Sequence, residues 1–251
     1  MHSVILHILV VLFLATVIRS TFGFGEALFA VPLLALRIPL TVAAPLAVLV
    51  SITIAFVVVA QDWRHVHLPS VGGLLVSTVL GIPVGLLLLK AGRPNVVKAA
   101  LAVILICFSV YCLRGRTLLR LQSDSKRWLL ACGFCAGVLG GAYGMNGPPL
   151  VLYGAMRRWS AQQFRATLQG YFLPASILGM TSFWFAGLWT STVTHDYLWS
   201  LPVVLPAIWI GKVLNRRLEG ERFLHYIYVG LAVVGCVLLV QAIHPQIFGA
   251  R

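Results

Sequence analysis

The chain has 251 residues, of which 60% are hydrophobic and only 10% carry a charged side chain. A water-soluble domain of this size needs roughly 25% charged residues to cover its surface; six acidic side chains cannot do that, so a polytopic all-α membrane protein is expected. The excess of 19 Lys and Arg over 6 Asp and Glu lies in short loops between apolar runs, where basic residues orient membrane proteins and meet anionic lipid. Without a soluble module or interleaved aromatic and basic residues, no nucleic-acid partner is expected.

In chain order the apolar segments fall at about 3–36, 39–61, 70–89, 95–113, 128–156, 162–186, 197–214 and 222–243. Most approach the roughly 20 residues that span a 30 Å hydrocarbon core. The N-terminal run has neither a basic start nor a small-x-small cleavage site, so it is read as retained rather than as a signal peptide. The first and fifth segments are interrupted, by TFGFGEALFAVPLLAL (Thr21–Leu36) and GVLGGAYGMNGPPLVLYG (Gly137–Gly154). Glycine and proline at this density break a helix, and unwound backbone survives at membrane depth only where protein or a water-filled cavity satisfies it. Close packing through small residues accounts for Gly133, Gly137 and Gly141, but poorly for GMNGPP, which reads as a functional break.

The polar linker Arg114–Arg127 divides the chain, and features recur across it. Arg37 and Arg158 each open a long helix, Trp63 and Trp184 fall at the same offset from them, and GLLLLKAGRP (Gly85–Pro94) is matched by GKVLNRRLEG (Gly211–Gly220). The expected organisation is a first repeat over 1–113, a cytoplasmic linker over 114–127 and a second repeat over 128–251. Basic residues on both sides of the fifth segment place its two ends on the cytoplasmic face, which makes it a re-entrant hairpin. The uncharged loop Gly187–His195 then lies outside and Lys212, Arg216, Arg217 and Arg222 inside. Lys90 and Arg93 fall outside, against the charge rule. The result is two inverted repeats, each a broken helical hairpin plus three transmembrane helices.

The stretches GFGEALFAVPLLAL and GGAYGMNGPPLVLY, one opening each half, resemble the paired glycine-rich motifs of the sulfite exporter TauE/SafE family, also called the 4-toluene sulfonate uptake permease family. The resemblance implies a secondary transporter of sulfite, organosulfonates or related small sulfur anions, working by alternating access in a bacterial inner membrane. Its partners would be the anionic solute, membrane lipid, a coupling proton or sodium ion and, in a homodimer, a second copy. A non-transporting membrane subunit, or a carrier of another small organic anion, is the alternative.

Two half-helix starts, near Gly25–Ala27 and Asn146–Pro149, would each present unpaired N–H groups and partial positive charge to an anion. Gly25, Gly144 and Gly147 let backbone approach a ligand without a Cβ. Asn146 can donate to the anion or cap its own helix. Arg165 and Gln169 share a helix face; a guanidinium suits a bidentate oxyanion, while the bland reading of Arg165 is an interfacial residue that snorkels to the lipid surface. Glu26, the one acidic residue within an apolar segment, reads as a coupling group or as the ion-pair partner of Arg19. The five cysteines read as packing thiols and the seven histidines show no metal spacing. No Walker loop, HExxH or acid pair is present, so neither cofactor nor catalysis is expected.

Overall fold

The computed structural model describes residues 2–62, 68–114, 125–157, 161–215 and 221–243. These form helices α1 (His2–Phe22), α2 (Glu26–Leu34), α3 (Leu40–Asp62), α4 (Leu68–Ala91), α5 (Pro94–Leu113), α6 (Lys126–Tyr143), α7 (Gly147–Met156), α8 (Ala161–Phe185), α9 (Ser191–Asn215) and α10 (Glu221–Ile243). No strand occurs among the described residues. Among the described residues, five helices are long and apolar enough to cross a membrane, within α1, α3, α4, α5 and α9. Their outward faces carry large apolar side chains, including Leu80, Leu87, Trp199 and Trp209, a surface that lipid covers and water would not. Most of the linker, together with Trp63 and Arg158, lies outside the described residues.

Both interruptions fall where glycine permits them. Gly23 (φ 84°) and Gly25 (φ 100°) turn the chain between α1 and α2, and Gly144 (φ 67°) ends α6, all in the left-handed region that side chains disfavour. After the first turn α2 folds back along α1, and the imidazole Nε2 of His7 lies 3.0 Å from the Leu33 carbonyl. After the second, α7 packs on α6 in the same way.

The two halves share a register. α1 and α6 end at positions 22 and 143, α2 and α7 begin at 26 and 147, and α3 and α8 begin at 40 and 161, a constant offset of 121. The packing follows it: α4 lies on α6 as α1 lies on α9, while α5 pairs with α10 and α3 with α8. The α4–α6 seam is parallel and very close. Gly73 faces Leu129, Gly133 faces Leu74, Gly137 faces Thr78 and Gly141 faces Ile82; a Cβ on Gly137 would stand 2.9 Å from Thr78 Cα and 3.0 Å from Gly81 Cα.

α9 starts earlier than its hydropathy implies, at Ser191 rather than near 197. The polar stretch Ser191–Asp196 is helical because Thr190 caps it: Thr190 Oγ1 accepts from the Val193 N–H at 3.4 Å and the Thr190 carbonyl from the Thr194 N–H at 3.1 Å. A cap is read from side-chain chemistry, to which an apolar-run search is blind. The connection from α8 shortens accordingly to Ala186–Thr190.

Candidate anion-binding site

The two breaks meet around one small cavity. It is lined by Phe24 to Leu28 at the first break and Gly144 to Pro148 at the second, together with Arg19, Ser51, Phe108, Val151, Phe172 and Ser176. Gly25, Glu26, Arg19, Gly144, Asn146 and Gly147, far apart in sequence, therefore share one space. The cavity holds about 30 Å³, room for about two water molecules.

Arg19 is the cation of the site. It sits in the last turn of α1 and is 3% exposed. Its Nη1 donates to Glu26 Oε2 at 2.7 Å and also to Ser51 Oγ, which lies 3.2 Å from Ser176 Oγ. The Phe172 ring lies beneath the guanidinium, 5.0 Å from Cζ to the centroid, close enough for a cation–π contact. Four helices thus fix one guanidinium: α1 carries it, α2 neutralises it, and α3 and α8 hold it in place. Even so, Arg19 Nε and Nη2 and Glu26 Oε1 are buried without a hydrogen-bond partner. Buried charged groups rarely leave hydrogen-bonding capacity unused, so the site has donors to offer to something else.

The backbone adds more donors, and it does so unequally. Gly25, the residue before α2, supplies no side-chain cap, and the first N–H of this stretch with a helical acceptor is that of Phe29, which donates to the Gly25 carbonyl at 3.1 Å. The N–H groups of the preceding turn have no acceptor within the helix, and their residues line the cavity. α7 opens with Gly147-Pro148-Pro149, and its two prolines carry no N–H. The second break therefore contributes polar character chiefly through Asn146 and the bare backbone at Gly147.

Asn146 is tethered from behind. Its Nδ2 donates to Tyr171 Oη at 3.4 Å; Tyr171 Oη is 2.7 Å from Thr78 Oγ1, which donates to the Gly133 carbonyl at 2.9 Å. Gln169 does not line the cavity: its Nε2 donates to the Gly23 carbonyl at 2.7 Å, so a residue of the second half holds the turn of the first. The Arg165 side chain lies outside the described residues. Sequence reasoning did not single out Ser51, Ser176 or Phe172. A lone hydroxyl in an apolar helix gives no pattern, because it bonds its own upstream carbonyl equally well.

The sulfite exporter TauE/SafE family model matches residues 8–239, a span that contains both breaks and every described residue of the cavity. Neither a curated protein nor a solved structure matches the chain. The family is one of transporters, its members are multi-pass membrane proteins, and this chain belongs to it: the sulfite exporter TauE/SafE family.

Proposed function

We propose that the protein is a secondary transporter that exports sulfite, or a sulfur oxyanion of similar size, across a bacterial inner membrane by alternating access around the Arg19 cavity. The observation that carries this reading is a fully buried guanidinium with two unused N–H-bearing nitrogens beside an uncapped helix start. Both features favour an oxyanion and neither suits a cation. At about 30 Å³ the cavity must open to admit any sulfur oxyanion, least for sulfite and further for sulfonates with an organic tail.

The packing also supports the inverted arrangement on which alternating access depends. α6 runs parallel to α4, so the second hairpin opens where α4 begins. Lys90, at the end of α4, donates to the Ala186 carbonyl at 2.8 Å, so α9 starts at that opposite end. The first break meets α9 near Gly211, close to its finish, where Thr21 Oγ1 reaches the Gly211 carbonyl. Because α1 packs along α9, the first hairpin opens at the end where α9 begins, the reverse of the second.

Labelled-anion flux in proteoliposomes tests the proposal. Sulfite is expected to saturate the transporter and to outcompete taurine, sulfoacetate and sulfate. Removing one member of a buried ion pair costs about 3–5 kcal/mol, whereas replacing both by apolar groups is often neutral or stabilising. R19M is therefore expected to lower the melting temperature in detergent, and R19M/E26L to recover it while sulfite flux stays at least about tenfold below wild type, the loss of one charged hydrogen bond or more. Normal sulfite flux in the well-folded double variant would reject Arg19 as the anion's partner.

A further inference from the structure

Glu26 occupies the place that an anion would take. Its carboxylate binds Arg19 Nη1 at 2.7 Å and it is the first residue of α2, so its negative charge already sits between the two positive features of the site, one guanidinium nitrogen and the helix start. The register between the halves sets this pair apart. At the offset of 121, Arg19 corresponds to Gly140 and Glu26 to Gly147, so the second break has glycine at both positions. The charge pair is an addition that only one half carries.

Resting on the anion-transport reading, we infer that Glu26 is a built-in competitor of the transported anion, and that each anion loads together with one proton, which Glu26 carries. With the site empty, the Glu26 carboxylate neutralises Arg19 through Nη1 alone, and Nε and Nη2 stay without a hydrogen-bond partner. When an oxyanion enters, two negative groups cannot share one guanidinium in a buried cavity without repelling each other. A proton from bulk water adds to a Glu26 carboxylate oxygen, the Arg19–Glu26 contact opens, and the anion takes the freed N–H groups. No covalent bond other than the carboxyl O–H is made, and release of the anion returns the proton and restores the pair.

The surroundings leave Glu26 as the group to carry that proton. Of the helices packed on α2, α1 presents Arg19, α3 presents Ser51 and α5 presents Phe108 to the cavity. The other titratable side chains described on these helices do not line it: His7 on α1, Lys98, Cys107, Tyr111 and Cys112 on α5, Arg114 just after α5, and Tyr228 and Cys236 on α10. From α7 and α8 the lining adds only Gly147, Pro148, Val151, Phe172 and Ser176, none of which titrates.

The test compares wild type with Glu26→Gln, which keeps the shape and an acceptor for Arg19. Sulfite binding to the purified full-length protein is measured by calorimetry in buffers of different ionisation enthalpy, which counts protons taken up per anion. Sulfite's own titration cancels in the difference between the two proteins. Wild type is expected to take up about one proton more than E26Q, since two protonation states are separated by one. E26Q is expected to bind sulfite at least as tightly as wild type, with an affinity that no longer weakens at alkaline pH beyond sulfite's own titration. Equal proton uptake overturns the inference, as does a sodium requirement that E26Q abolishes. Thermal melting confirms that E26Q is folded; should it not be, Glu26→Asp is expected to retain the extra proton. Saturable sulfite binding without the extra proton sinks this inference alone, whereas no sulfite binding by wild type sinks the transport reading with it.

Discussion

Gly144 and Gly147 lie three residues apart on the rim of the same cavity, yet their substitutions should have opposite consequences. Gly144 has φ 67°, and a Cβ there would lie 2.8 Å from Val48 Cγ2 and 3.1 Å from the Ala44 carbonyl. The left-handed conformation alone costs a side-chain-bearing residue about 1–2 kcal/mol, and the crowding against α3 adds to it. G144A is expected to lower the melting temperature of the protein in detergent. At Gly147 an added Cβ meets nothing within 4 Å, and the residue starts a helix with no positive φ. G147A is therefore expected to keep or slightly raise stability, because alanine loses less chain entropy on folding. Its methyl group would stand at the cavity rim, so sulfite flux is expected to fall while the fold persists. Wild-type flux in G147A would mean that the anion does not approach the second break.

At the scale of the element, the α4–α6 seam is the closest helix contact the glycines permit. Five glycines (Gly81, Gly85, Gly133, Gly137 and Gly141) bring backbone against backbone along it, each with partner backbone atoms where a Cβ would go. In lipid such contact rests on van der Waals packing and close approach, so it tolerates no methyl groups. G137V is expected to destabilise the protein strongly, whereas G72A, where nothing lies within 4 Å, serves as the neutral control in the same melting assay. Equal melting temperatures for the two variants would mean that the seam contributes nothing. Much of this was legible in the sequence. The breaks announced themselves because only glycine, proline and asparagine suit such turns, and the same residues then mark the cavity. The start of α9 was not legible, since Thr190 acts through a side-chain cap inside a polar stretch. Ser51, Ser176 and Phe172 were hidden for another reason: their role exists only once α3 and α8 bring them to Arg19. Gln169 was read as sharing a helix face with Arg165, but only the folded chain shows its amide spent on the Gly23 carbonyl.

For the molecule as a whole, orientation in the membrane decides whether the two halves oppose each other, and Lys90 is where the charge rule and the packing disagree. Positive-inside reasoning draws Lys90 and Arg93 toward the cytoplasm. The structure gives Lys90 another task, because its ammonium caps the end of α8 at the Ala186 carbonyl, where a cation meets the negative end of a helix dipole. That contact ties the end of α4 to the connection between α8 and α9, which itself contains no Lys or Arg, and the two must lie on the same face. The parallel α4–α6 seam carries the start of α6 to the other face. Single-cysteine labelling can read this arrangement after the five native cysteines, all free, are replaced and sulfite flux is shown to survive. A91C and S191C, both at exposed positions, are expected to react together with a membrane-impermeant maleimide in intact cells. K126C, also exposed, is expected to react only after the cells are permeabilised. If A91C and S191C react from different sides, the Lys90–Ala186 contact is not part of the folded protein. If all three react from one side, α4 and α6 do not start at the face opposite Lys90, and the opposed hairpins, with the alternating access they support, must be given up.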